Sequence, residues 1–135
     1  MLVVDDEPDL RTLTSRRLRR AGYEVTEARD GEEAWELTLA TAPLTLVLDV
    51  RMPKLDGIAL TERLRSDDRT SNVGIILLTA SVEEHQQAEG AVAGADAYLR
   101  KPCTGELLVE TVRSVIAARL DGDSEAARSA NRDTP

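Results

Sequence analysis

Short, nearly unbroken apolar runs alternate with longer amphipathic segments along most of this chain, and that rhythm admits few folds. The runs are Leu2-Val3-Val4, residues 44–48, residues 73–78 and Ala97-Tyr98-Leu99. Runs without a polar face suit strands buried on both sides of a sheet. A fifth candidate, Tyr23-Glu24-Val25-Thr26-Glu27, alternates apolar and polar residues, which suits a strand at the sheet edge with one wet face. Between the runs, Leu10, Leu13, Leu18 and Ala21 make one helical stripe, with Pro8 in the first turn and Gly22 where a left-handed cap would sit. Asp30 and Glu33 form a capping box for the second helix, and Pro43 closes it. Ile58, Leu60 and Leu64 mark a third helix, and Leu108, Val112, Val115 and Ile116 the last. Residues 82–92 make a weaker helix, because Gly90 inside it costs about 1 kcal/mol relative to Ala.

Five strands alternating with five helices predict an α/β fold, a parallel sheet covered by helices on both faces. The length of 135 residues suits one domain. We expect it to span residues 1–120, with residues 121–135 a disordered tail or linker. That stretch has no apolar residue larger than Ala and cannot repay its ordering entropy by burial.

Composition narrows the function. A net charge of −8 argues against binding nucleic acid or an anionic membrane directly. Three aromatic residues, Tyr23, Trp35 and Tyr98, are too few for a base-stacking platform. One cysteine and one histidine exclude a His/Cys zinc cluster. The lone Cys103 fits a reducing compartment, and no signal peptide or membrane span is readable, so a cytoplasmic location is expected.

Ligands of open parallel sheets bind at the carboxyl ends of the strands. There this sequence places Asp5 and Asp6 after the first run, Asp49 after the third-strand run, Thr79 after the fourth, and Lys101-Pro102 after the fifth. Alone, Asp5 and Asp6 would read as helix caps, Thr79 as a strand residue and Lys101 as a surface lysine. Together they make a set: clustered carboxylates call for a cation, Mg2+ takes oxygen ligands, and a lysine with a hydroxyl can neutralise phosphoryl oxygens. A carboxylate can itself be the nucleophile.

Val3-Val4-Asp5-Asp6-Glu7-Pro8, Leu48-Asp49-Val50-Arg51-Met52-Pro53 with Asp56-Gly57, Thr79-Ala80 and Lys101-Pro102 resemble the receiver domain of two-component response regulators, over residues 2–119. The resemblance implies a single flavodoxin-like (βα)5 domain with strand order 2-1-3-4-5. It implies that Asp49 accepts a phosphoryl group from a phosphohistidine on a sensor histidine kinase or phosphotransfer protein. Mg2+ would then be held by Asp6, Asp49 and the Arg51 carbonyl, with Asp5 acting through water. Lys101 would pair with Asp49 and then with the phosphate, Thr79 would turn toward the phosphate, and Tyr98 would be the aromatic switch. The Lys101-Pro102 peptide would be cis, and Arg51 and Ser81 would flank the phosphate and tune its lifetime. The output face would comprise the weak helix, the fifth strand and the last helix.

Some features lie outside the resemblance. His85 reads as solvent-facing, Trp35 as helix packing, and Cys103 as a small packing residue where relatives often have phenylalanine. Met1 stands only four residues before Asp5, so the first strand is expected to be short or the natural start to lie upstream. Two other functions compete. A haloacid-dehalogenase-type, Mg2+-dependent aspartyl-phosphate phosphatase usually wants a second acid two residues after the nucleophile, where Arg51 stands. A phosphorylation-independent receiver-like module usually lacks an acidic residue or the lysine, and none is missing here. No enzymatic turnover beyond slow self-dephosphorylation is expected. The output partner is unspecified, and homodimerisation through the last helix stays open.

Overall fold

A computed structural model describes residues 1–90 and 94–132. Its elements follow the expected alternation: β1 (Leu2–Val4), α1 (Pro8–Arg20), β2 (Thr26–Ala28), α2 (Gly31–Thr41), β3 (Thr45–Asp49), α3 (Gly57–Ser66), β4 (Gly74–Thr79), α4 (Val82–Gly90), β5 (Ala97–Arg100) and α5 (Gly105–Arg132). All strand pairs are parallel, in the order β2-β1-β3-β4-β5.

The two-residue period of a strand sorts the core into two layers. Leu2, Val4, Leu46, Leu48, Ile75 and Leu77 pack with Ala34, Trp35, Leu60, Leu64 and Ala88 on the α2–α3–α4 side. Val3, Val47, Ile76, Leu78 and Leu99 pack with Leu18, Leu108, Val112 and Val115 on the α1–α5 side. Burial on both faces is why the runs carry so few polar residues. At the amino end of the sheet, Asp96 ties four elements together. It accepts from the Ile75 backbone N–H (2.8 Å), from Arg65 of α3 (2.9 Å) and from Arg119 of α5 (2.7 Å).

Three sequence expectations need correction. The edge strand lies at residues 26–28 rather than 23–27. Gly22 takes a φ of +98° and the Tyr23 N–H bonds back to the Leu18 carbonyl, so the chain is still closing α1 where the strand was expected. The capping box at α2 is half made: Asp30 accepts from the Glu33 N–H at 2.9 Å, but the Glu33 carboxylate pairs with Arg29. The last helix continues as helical backbone through Arg132, past the expected end at 120. Propagating a formed helix needs no new nucleus, and Ala, Arg and Glu in this stretch are good helix formers. Of the weak helix, residues 91–92 lie outside the described residues, as do tail residues 133–135.

Candidate functional site

Strand parity builds the site. Asp5 follows Val3 by two residues, Asp49 follows Val47 by two, and Lys101 follows Leu99 by two, so all three continue the α1–α5 side of the sheet past its carboxyl edge. Parallel pairing sets Val3 beside Val47 and Asp49 beside Leu78, whose other neighbour is Leu99. The three side chains therefore meet. Lys101 Nζ lies 3.2 Å from Asp49 Oδ2 and 3.4 Å from Asp5 Oδ2. The Lys101-Pro102 peptide is cis.

Asp5 and Asp49 are buried, at 3% and 8% exposure, whereas Asp6 is exposed. One carboxylate oxygen from each lies within 4.8 Å of the others. Burial pushes the Asp49 carboxyl above its ordinary range; Lys101 opposes this, and the Asp5 charge adds to it. For Lys101, burial acts to lower the pKa, but the Asp49 and Asp5 carboxylates outweigh it and the net shift is upward. Three carboxylates against one ammonium leave negative charge to spare, and the donors are all hard oxygens. That set fits Mg2+, which binds through a carboxylate or two and keeps several waters.

The start of α3 sits against the same loop. Asp56 caps it by accepting from the Ala59 N–H at 2.8 Å, and Gly57 N–H donates to the Val50 carbonyl at 2.8 Å. A Cβ on Gly57 would lie 2.5 Å from the Asp49 carbonyl oxygen, so only glycine permits this approach.

Thr79 and Tyr98 take the opposite parity. Thr79 follows Leu77 by two residues, and Tyr98 pairs with Leu77 across the β4–β5 ladder and packs against the α2–α3–α4 layer. The fully buried Thr79 hydroxyl is not directed at Asp49. It bonds to the Leu99 carbonyl at 3.3 Å and lies 3.1 Å from His85 Nδ1. Arg51 and Ser81, expected to flank the phosphate, are both engaged by Glu84. Arg51 Nε is 2.7 Å from Glu84 Oε2, an ion pair without hydrogen-bond alignment, and Ser81 Oγ accepts from the Glu84 N–H at 3.1 Å. Glu84 Oε1 accepts from the Ala80 N–H at 2.9 Å.

Sequence reasoning thus overlooked Glu84 and His85. Glu84 had a readable signal, since Ser81 and Glu84 have capping-box spacing. The half-buried His85 was expected to face solvent; its contact with Thr79 depends on how α4 is seated on β4, which no local pattern announces.

A family model described as "Response regulator receiver domain" matches residues 1–113. Among curated proteins, the chain is 36% identical over 128 residues to the DNA-binding dual master transcriptional regulator RpaA of Synechocystis sp., covering 95% of this chain and 53% of that protein. It is 37% identical over 126 residues to the phosphate regulon transcriptional regulatory protein PhoB of Pseudomonas aeruginosa, covering 93% of this chain and 55% of that protein. The chain therefore spans about half the length of these relatives. A crystal structure of a putative response regulator from Chloroflexus aurantiacus superposes with a TM-score of 0.81 at 36% identity, covering 86% of this chain and 95% of that one. The chemotaxis protein CheY4 of Vibrio cholerae superposes at 0.77 with 32% identity, covering 84% and 95%.

Proposed function

Because the chain belongs to the response regulator receiver family of two-component systems, we propose that it is a phosphoacceptor switch whose acceptor is Asp49. Receiver domains interact with histidine kinases and output domains; the donor proposed here is a phosphohistidine on a sensor kinase or phosphotransfer protein. The observation that carries this reading is the ammonium of Lys101 seated between Asp5 and Asp49, 3.4 and 3.2 Å from their carboxylates.

In the transfer, an Asp49 carboxylate oxygen attacks phosphorus, the new O–P bond forming as the donor's N–P bond breaks. Lys101 stays beside the acceptor and meets the charge that arrives on the phosphoryl oxygens. Mg2+, held by Asp6, Asp49 and the Arg51 carbonyl with Asp5 acting through water, would supply further neutralisation of those oxygens. Asp49, once phosphorylated, carries about 1.5–2 negative charges on its phosphoryl group in place of the single charge of its carboxylate. The Thr79 hydroxyl is then drawn toward it and away from Leu99 and His85. Loss of that tie biases Tyr98 and the face formed by α4, β5 and α5, which changes partner binding. Arg51 and Ser81 act on the phosphate's lifetime through their shared partner Glu84.

No small-molecule turnover beyond slow self-dephosphorylation is proposed. A dehalogenase-type phosphatase is disfavoured because Arg51, paired with Glu84, stands where its second acid would be. Direct nucleic-acid binding by this domain is not proposed, given its charge of −8. Among the described residues no helix is long and apolar enough to cross a membrane, and action in the cytoplasm is part of the proposal.

Incubation with acetyl phosphate and Mg2+, followed by intact mass measurement, tests the assignment. One added phosphoryl group is expected, lost in Asp49→Asn and on chelation of the metal. Undiminished uptake by Asp49→Asn would reject Asp49 as acceptor.

A further inference from the structure

The two residues expected to respond to phosphorylation, Thr79 and Tyr98, are touched by one side chain that the reaction itself does not use. His85 Nδ1 lies 3.1 Å from Thr79 Oγ1, and its ring meets that of Tyr98 edge to face, with centroids 5.9 Å apart and planes at 68°. The Thr79 hydroxyl has one proton. If that proton goes to the Leu99 carbonyl, Nδ1–H donates to Thr79; if Thr79 donates to Nδ1, the longer Leu99 contact is the weaker one. In either arrangement the hydroxyl is engaged away from Asp49 and cannot turn without giving up His85.

The turn of α4 that carries His85 is itself fastened to the end of β4. Glu84 Oε1 accepts from the Ala80 N–H at 2.9 Å, and Ser81 caps the helix through the Glu84 N–H at 3.1 Å. His85 N–H continues this with a helical bond to the Ser81 carbonyl at 2.9 Å. A movement of Thr79 is therefore opposed by a helix turn held on both sides of it.

We propose that His85 is a positioning residue that holds the Thr79 hydroxyl and the Tyr98 ring in their unphosphorylated arrangement, so that α4 is released only when Thr79 exchanges His85 for a phosphoryl group on Asp49. The inference rests on the phosphoacceptor reading and deepens it: the resting state is stabilised by a specific side-chain bond.

Beryllofluoride, a phosphoryl mimic that binds aspartate with Mg2+, allows a test by 19F NMR titration. His85→Phe keeps a ring against Tyr98 but has no Nδ1. It should bind beryllofluoride roughly two- to tenfold more tightly than wild type, the range expected for one net hydrogen bond. His85→Asn, whose amide can reach the place of Nδ1, should restore the wild-type affinity. In a Thr79→Val background His85→Phe should change nothing, since the bond is already gone. An equal gain with and without the Thr79 hydroxyl, or no gain in a folded His85→Phe, would overturn the proposal.

A readout on the unmutated chain covers a variant that fails to fold. The His85 Nδ1 resonance should shift on saturation with beryllofluoride, and an unmoved resonance would be equally fatal. Failure of the wild type to bind, or equal binding by Asp49→Asn, would instead remove the phosphoacceptor reading and this one with it.

Discussion

Asp49 is a carboxylate placed where ionisation is costly. Its burial raises its pKa, Lys101 offsets part of that, and the neighbouring Asp5 adds to it. A pKa raised in the folded state means that the fold binds the proton more tightly than the unfolded chain does. The associated stability is complete below the ordinary value of 3.8 and is lost as pH rises through the folded value. Without metal, Asp49→Asn should therefore melt at a higher temperature than wild type. The gap should widen from pH 4 to pH 7 to a few degrees, as about 1 kcal/mol moves the midpoint of a small domain by roughly 2–8 °C. Thermal melts in EDTA check this, and a constant gap would contradict it. Mg2+ should narrow the gap by stabilising only the wild type. The residues behind this behaviour were legible as residues: Asp5, Asp49 and Lys101 each stand just past an apolar run. The seat of the Thr79 hydroxyl was not, because it depends on the rotamer of one side chain, His85, six residues on in α4, and on how that helix packs.

Among the elements, α3 starts directly against the acceptor loop. Its first residue, Gly57, comes so close to the Asp49 carbonyl that a methyl group would overlap it at 2.5 Å. Backbone cannot yield there as a flexible side chain could. Gly57→Ala should cost about 1–3 kcal/mol in urea unfolding, the usual range for forced overpacking. By displacing the end of β3, it should also slow phosphoryl uptake from acetyl phosphate. Stability loss with uptake unchanged would mean that the loop relaxes independently of the acceptor. The pattern of apolar runs located β1, β3, β4 and β5 to within a residue or so, since burial on both faces leaves a plain signature. β2 was displaced in the reading because an alternating edge segment resembles a loop that packs every second residue. Tyr23 and Val25 do so against the α1–α5 layer without forming a ladder.

Over the whole molecule, the chemistry sits at one end of the sheet and a structural brace, Asp96 with Arg65 and Arg119, at the other. Arg119 of α5 pairs with the body through Asp96, and the proposed domain boundary at residue 120 falls just after it. A chain ending at residue 120 should keep its unfolding free energy within about 0.5 kcal/mol of the full chain, because the removed stretch has no apolar residue larger than Ala, with undiminished phosphoryl uptake. A marked loss of either would show that residues 121–135 belong to the folded unit. The sequence by itself determined the fold class, the sheet edge that bears the site and the identity of its charged residues. Apolar periodicity and strand polarity are local properties that point the same way at every repeat. Only the tertiary structure decided what each side chain does there: that Lys101 spans two carboxylates, that Glu84 takes up Arg51 and Ala80, and that His85 holds Thr79. Strand register across the sheet brings Lys101 to its two carboxylates, and the seating of α4 on the end of β4 makes the contacts of Glu84 and His85; both depend on how whole elements pack, which no local pattern specifies.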